Sequence, residues 1–123
     1  MNIQKLNDCM EILKKDLGEG LVASSIVSTA DAQTLIATEH SKPGAATMFS
    51  ELTNSIQEAL SQGYPPLGKF YYLDLAGNKG ILFLPFGDYQ WGIAIDTQKA
   101  KLGLLLNVIL PKIVNAFEDA IVS

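Results

Sequence analysis

Arginine is absent from this sequence, and cysteine, histidine and tryptophan occur once each. Without a guanidinium the chain cannot place an arginine finger, or a bidentate clamp, on a phosphate or carboxylate. The single cysteine, Cys9, excludes an intrachain disulfide and a cysteine-built zinc site, and the single histidine, His40, leaves only scattered carboxylates as metal ligands. No metal and no other cofactor is expected. The glycine patterns that cradle phosphates are missing as well: there is no GxxxxGK[ST] and no GxGxxG, nor is there an HExxH or an EF-hand loop. Nucleotide hydrolysis by this chain alone is therefore not expected.

Thirteen acidic residues outnumber nine basic ones, all of them lysines, so the chain lacks the basic footprint that phosphate backbones require. Nucleic acid is not an expected partner. Long apolar runs are missing too. The first twenty residues, MNIQKLNDCMEILKKDLGEG, carry Asp8, Glu11, Asp16 and Glu19 and do not form the apolar core of a signal peptide. The apolar stretch near the C-terminus is interrupted by Gly103, Asn107 and Lys112, short of the roughly 20 residues a membrane-crossing helix needs. The expectation is a cytoplasmic protein without membrane insertion.

What is present is enough apolar residue, 48% of 123 positions, for one core and one domain spanning 1–123. That core is organised around Lys69 to Asp96, KFYYLDLAGNKGILFLPFGDYQWGIAID. Three β-prone runs, Phe70 to Leu75, Ile81 to Phe86 and Tyr89 to Ile95, are separated by AGNKG and by Gly87-Asp88, both turn chemistry. Neither gap could hold a crossover helix, so the spacing predicts an antiparallel meander. The run ILFLPF is apolar on both alternating faces, so that one face of the sheet calls for a helix layer and the other is only partly solvent-tolerant. In the third run Tyr89, Trp91, Ile93 and Ile95 alternate with Gln90, Gly92, Ala94 and Asp96.

Ahead of the meander, Ile3, Leu6, Met10, Leu13 and Leu17 recur at helical spacing and predict an amphipathic helix closed by Gly18 or Gly20. Cys9 lies near that stripe and reads as a small apolar residue rather than a reactive thiol. Leu21 to Ser28 and Thr34 to Glu39 read as a hairpin around TADAQ. A second helix is predicted over Ala45 to Gln62, with Ala45, Met48, Leu52, Ile56, Ala59 and Leu60 on its main stripe and Ala46, Phe49 and Thr53 on a weaker edge. Phe49 fits either the core or a subunit contact. A third helix, capped by Asp96-Thr97, carries Leu102, Leu105, Leu106, Ile109, Ile113 and Phe117. Burying five or six such side chains is worth on the order of 10 kcal/mol before entropy is subtracted. Pro111 should kink it, and Gly103 either allows close approach to the sheet or is merely tolerated.

Catalytic constellations are not signalled. Ser24 and His40 lack the setting of a nucleophile and its base, and Asp74 and Asp88 read as turn acceptors rather than a paired acid and base.

The order helix, two strands, helix, three strands, helix, together with GILFLPFGDYQWGIAID and the step Leu102-Gly103-Leu104, resembles the Roadblock/LC7 family over nearly the whole chain, from about Leu6 to Ile121. It departs from the family at Asp31-Ala32, where many members have Asp-Gly. The resemblance implies an α+β, profilin-like αββαβββα sandwich: a central five-stranded antiparallel sheet with one helix on one face and two on the other. It also implies a non-enzymatic homodimer, or a heterodimer with a paralogous Roadblock domain, that serves as a platform for a small Ras-like GTPase, as bacterial polarity switches and eukaryotic dynein and lysosomal assemblies do. The implied dimer surface is the middle helix with the first meander strand: Met48, Phe49, Leu52 and Ile56 with Phe70, Tyr71, Tyr72 and Leu73. The strand suits this physically, since a long apolar edge has to be covered or paired. A small-ligand sensor with Tyr72, Tyr89 and Trp91 around a pocket is the alternative, against a reading of those rings as core and interface.

Overall fold

The computed structural model describes residues 1–123. Helix α1 spans Ile3–Leu17, strands β1 and β2 span Leu21–Ser28 and Gln33–Ala37, and α2 spans Ala45–Leu60. The meander follows as β3 Tyr71–Leu75, β4 Lys79–Phe86 and β5 Tyr89–Asp96. A continuous helical run then closes the chain as α3 Leu102–Leu104, a π-helical turn Leu105–Ile109, and α4 Leu110–Val122. The strands form one antiparallel sheet in the order β2-β1-β5-β4-β3. This is the α+β, profilin-like architecture expected from the sequence, with α2 on one face and α1 and α4 on the other.

The alternation in β5 decides which residues meet which layer. Trp91, Ile93 and Ile95 point toward α1 and α4, joined from β4 by Leu82 and Leu84, and the Trp91 and Phe117 rings lie 5.6 Å apart. Gln90, Gly92 and Ala94 point the other way, with Ile81 and Phe83 beside them. The apolar run of β4 is thus shared between two layers. On the two-helix face the Trp91 Nε1–H donates to Ser24 Oγ at 2.7 Å, and that hydroxyl donates to the Gly92 carbonyl at 2.9 Å.

Helix α1 buries Leu6, Cys9, Met10, Leu13 and Leu17; Ile3 lies outside the stripe and is exposed. Asn2 caps it through the Lys5 N–H, and Gly18 closes it at φ +53°. Burial first, then the neighbouring charges of Asp8 and Asp119, push the Cys9 thiol up to about 11. That environment is the opposite of one that activates a thiol.

Several boundaries differ from expectation, among them α2 ending at Leu60 rather than Gln62 and β4 opening at Lys79 rather than Ile81. Phe70 precedes β3 instead of opening it, and β2 covers Gln33–Ala37 instead of Thr34 to Glu39. Asp96 does not cap the last helix, which begins at Leu102. Its carboxylate accepts from the Gln98 N–H at 2.9 Å and pairs with Lys79 at 3.1 Å, while its carbonyl accepts from Ala100. The Gln98 N–H first, and then the Lys79 ammonium, hold its carboxyl below the usual range. Pro111 is accommodated by the turn before it: the Leu110 N–H reaches back five residues to the Leu105 carbonyl, and this wide turn makes room for a ring that would press on the carbonyl of Asn107. Gly103 has open space where a side chain would stand, so of its two readings the tolerated one applies.

Candidate functional site

The single-helix face is where chemistry or recognition has room. Helix α2 is seated on it by Phe49, whose ring meets Phe83 edge-on at 5.1 Å and rests over Gly92, where a β-carbon would collide with it. Tyr71 from β3 stacks on the same Phe83 at 4.8 Å and 16°. A buried relay then ties three elements together. The Tyr71 hydroxyl and Thr53 Oγ1 are 2.6 Å apart, Thr53 donates to Gln90 Oε1 at 2.7 Å, and Gln90 Nε2 donates to the Phe49 carbonyl at 3.4 Å. With Thr53 donating to Gln90, the tyrosine must be the donor to Thr53. Burial raises the Tyr71 phenol above its ordinary pKa. The loop entering α2 is anchored by Ser41 Oγ, which donates to the Ser24 carbonyl at 2.7 Å, and by Thr38 Oγ1, which accepts from the Ser24 N–H at 3.0 Å.

These contacts rotate α2 away from the predicted orientation. The weaker edge of the pattern, Ala46, Phe49 and Thr53, together with Ala45, forms the buried face. Met48 is 42% exposed, Ala59 is exposed, and Leu52, Ile56 and Leu60 are half-buried, so the predicted main stripe is a flank. Phe49 is inside, at 6% exposure.

Beside that flank the sheet is incompletely covered. Leu52, Tyr71, Leu73 and Ile81 rim the small core beneath α2 while remaining half-exposed. A cleft of 410 Å³ opens between Met48 and Phe49 on one side and Ala23, Ile81 and Ala94 on the other. Strand β3 ends the sheet and pairs only with β4. Its sequence, YYLDL, offers one charge and no proline to deter pairing.

Of the eight residues assigned to a dimer surface, Met48, Leu52 and Ile56 share the α2 flank, and Tyr71 and Leu73 share the sheet face beneath it. Phe70 is exposed at the entry to β3. Tyr72 faces the opposite side of the sheet, with its ring packed over Gly80. Ile81 and Ala94 were not anticipated in this surface, although a strand apolar on both faces beneath a single helix is the signal that points to them.

The other candidates separate. The Ser24 hydroxyl is buried between Trp91 and Gly92, and His40 is exposed on the turn after β2. Asp74 lies opposite Gly80 and Asp88 beyond Phe86, at the two ends of β4 and about 20 Å apart by strand rise. No three His, Cys, Asp or Glu side chains converge as metal ligands. No helix is long and apolar enough to cross a membrane. Trp91 is fully buried against Phe117, and neither Tyr72 nor Tyr89 lines the cleft.

Solved structures share this arrangement. Myxococcus xanthus MglB matches with a TM-score of 0.79 over 95% of this chain and 87% of that chain, at 13% sequence identity. The fold is that of MglB. A gliding protein MglB from Thermus thermophilus matches at 0.71, covering 94% of this chain and 90% of its own at 14% identity. The Roadblock/LC7 domain from Streptomyces avermitilis matches at 0.64, covering 85% and 88% at 10% identity. An MglB structure with a tetrameric arrangement matches at 0.67, covering 94% and 92% at 15% identity. No protein-family model and no curated protein matches the sequence, so the likeness to the Roadblock/LC7 fold resides in topology and burial rather than in residue identity.

Proposed function

We infer that this chain is a non-enzymatic regulatory scaffold that pairs with a second copy, or with a paralogous Roadblock domain, and presents the paired surface to a small Ras-like GTPase in the cytoplasm of a bacterium. The observation that carries this reading is the coincidence of two unfinished features on one side: the unpaired apolar edge of β3 and the half-covered band of Met48, Leu52, Tyr71, Leu73 and Ile81. Either alone is ordinary. Together they match what a two-fold contact would cover, with edges joining and α2 helices packing across the joint. The likeness to MglB structures, one of them a tetrameric arrangement, supports self-association, and the Roadblock/LC7 resemblance supplies the GTPase.

Because the chain contains no arginine, its action on a GTPase has to come from ordering or holding the partner's own switch residues, without inserting a guanidinium. Light scattering behind gel filtration at micromolar concentration tests the first step. A mass twice that of the 13.3 kDa chain is expected, and a clean monomer overturns the pairing. The second step is tested with the immobilised chain, comparing a lysate loaded with a non-hydrolysable GTP analogue against one loaded with GDP. Recovery of a nucleotide-dependent GTPase supports the reading, and its absence in both arms removes the GTPase from it. A small-GTPase gene beside this one would name the protein to purify.

A further inference from the structure

A second concavity, of 460 Å³, lies at the end of the sheet formed by the β1–β2 turn and the β4–β5 hairpin, below the other flank of α2. Its lining on α2, Ser50, Thr53, Asn54 and Gln57, is turned about 100° to 180° from Met48 and Leu52, so the site opens on a different side of the helix from the proposed dimer flank. Its volume falls within the range of small-molecule sites, about 300 to 1,000 Å³. In contrast to the apolar cleft, its lining is mostly polar: Thr29, Ser50, Asn54, Gln57, Asp88 and Gln90 contribute hydroxyls, amides and one carboxylate.

Several of these groups are fixed in place with capacity to spare. Gln90 is only 5% exposed; its Oε1 is engaged by Thr53, but its Nε2 has two protons and a single acceptor, the Phe49 carbonyl at 3.4 Å. Gln57 Oε1 accepts from the Leu67 N–H at 3.0 Å, which holds the side chain while leaving its NH₂ group free. Thr29 Oγ1 donates to the Asp88 carbonyl at 3.0 Å and steadies the hairpin, and the Asp88 carboxylate takes part in none of the chain's five ion pairs.

The chemistry of the wall selects its ligand. No lysine lines it, and the one charge is negative, so phosphates and carboxylates are repelled. Amides that donate and accept suit a molecule rich in hydroxyls, and a carboxylate can accept from two adjacent hydroxyls at once. We propose that this concavity binds the vicinal diol of a small neutral sugar, whether a free hexose or the ribose of an unphosphorylated nucleoside.

The test is an NMR titration of the ¹⁵N-labelled full chain with D-glucose, adenosine and 2′-deoxyadenosine, the last lacking the vicinal diol. Saturable shifts of the Asn54, Gln57 and Gln90 side-chain amides with glucose or adenosine, at least tenfold weaker with 2′-deoxyadenosine, are expected. A response to glucose assigns a free sugar, and a response to adenosine alone assigns a nucleoside. Asn54→Ala and Asp88→Ala, both at exposed positions, should each weaken binding about tenfold with unchanged melting temperatures. No saturable shift with either diol, equal binding of 2′-deoxyadenosine, or binding indifferent to both substitutions overturns the proposal.

Discussion

The Phe49 ring occupies the space where a side chain at Gly92 would begin. The glycine of β5 is therefore what lets α2 lie close to the sheet, and the Gln90–Thr53–Tyr71 relay is built around that close approach. Gly92→Ala should destabilise the chain by about 1 to 3 kcal/mol, since the ring can move only by disturbing Phe83 and the relay. Phe49→Leu carries its own packing cost, but the two substitutions together should cost less than their sum. Urea denaturation of the four proteins in this cycle measures the coupling; strict additivity would show that the ring and the glycine are independent.

Ser24 lies between the only tryptophan and the sheet. Ser24→Ala leaves the Trp91 Nε1–H buried without an acceptor and the Gly92 carbonyl without this donor, for an expected loss of about 1 to 3 kcal/mol. The same substitution in a Trp91→Phe background should cost less, because the orphaned N–H is no longer there. Denaturation followed by circular dichroism reads both, and equal losses in the two backgrounds would count against the hydrogen bond as the cause.

Ala32 adopts φ +54°, the left-handed conformation that glycine takes readily and alanine does not. The chain thus makes this turn with a residue that the left-handed conformation does not favour. Ala32→Gly should stabilise the protein by about 1 kcal/mol, the relief of strain exceeding the added freedom of the unfolded chain. A lowered denaturation midpoint would mean that the turn is not strained.

The sheet was legible because its information is local. Turn residues and period-two alternation fixed the meander, and the same alternation placed Trp91, Ile93 and Ile95 together. The orientation of α2 was not legible, since both flanks of the helix are apolar and the choice between them rests on Gly92, some forty residues away in sequence. Adjacent strand residues face opposite sides, so the Tyr72 ring projects away from the face that Tyr71 and Leu73 share, a separation that period-two alternation already carries. The π-helical turn before Pro111 leaves no mark in a pattern that is helical throughout. The polar concavity is assembled from Thr29, Gln57 and Asp88, which lie too far apart in sequence to form a motif.

The proposed pairing makes Leu73 a sensitive position. It is half-exposed on the edge strand, on the same face as Ile81, and a lysine there can extend into solvent in the isolated chain but not within a joined edge. Leu73→Lys should shift the chain from dimer to monomer with little loss of secondary structure. The Asn54→Ala chain, altered on the opposite flank of α2, should keep the parent mass. Light scattering distinguishes the two; a Leu73→Lys protein that remains a stable dimer would move the interface elsewhere.

Alkaline pH offers a test of the two-helix core. The Cys9 thiol is pushed up to about 11, from 9.0, chiefly because ionisation would place a charge among buried apolar side chains. In the unfolded chain the thiol loses its proton more readily than in the folded one. Its contribution to stability is therefore complete below pH 9 and is lost as pH rises through 11, a change on the order of 2 kcal/mol. Burial also raises the phenols of Tyr71 and Tyr72, which add a loss of the same sign above pH 10. Cys9→Ala should lower stability at pH 7 by removing a packed side chain, yet flatten the decline between pH 9 and 10, where the tyrosines contribute least. Urea titrations of both proteins across that range measure the difference. Parallel profiles would mean that the decline arises elsewhere and that Cys9 ionises as freely in the folded chain as in the unfolded one.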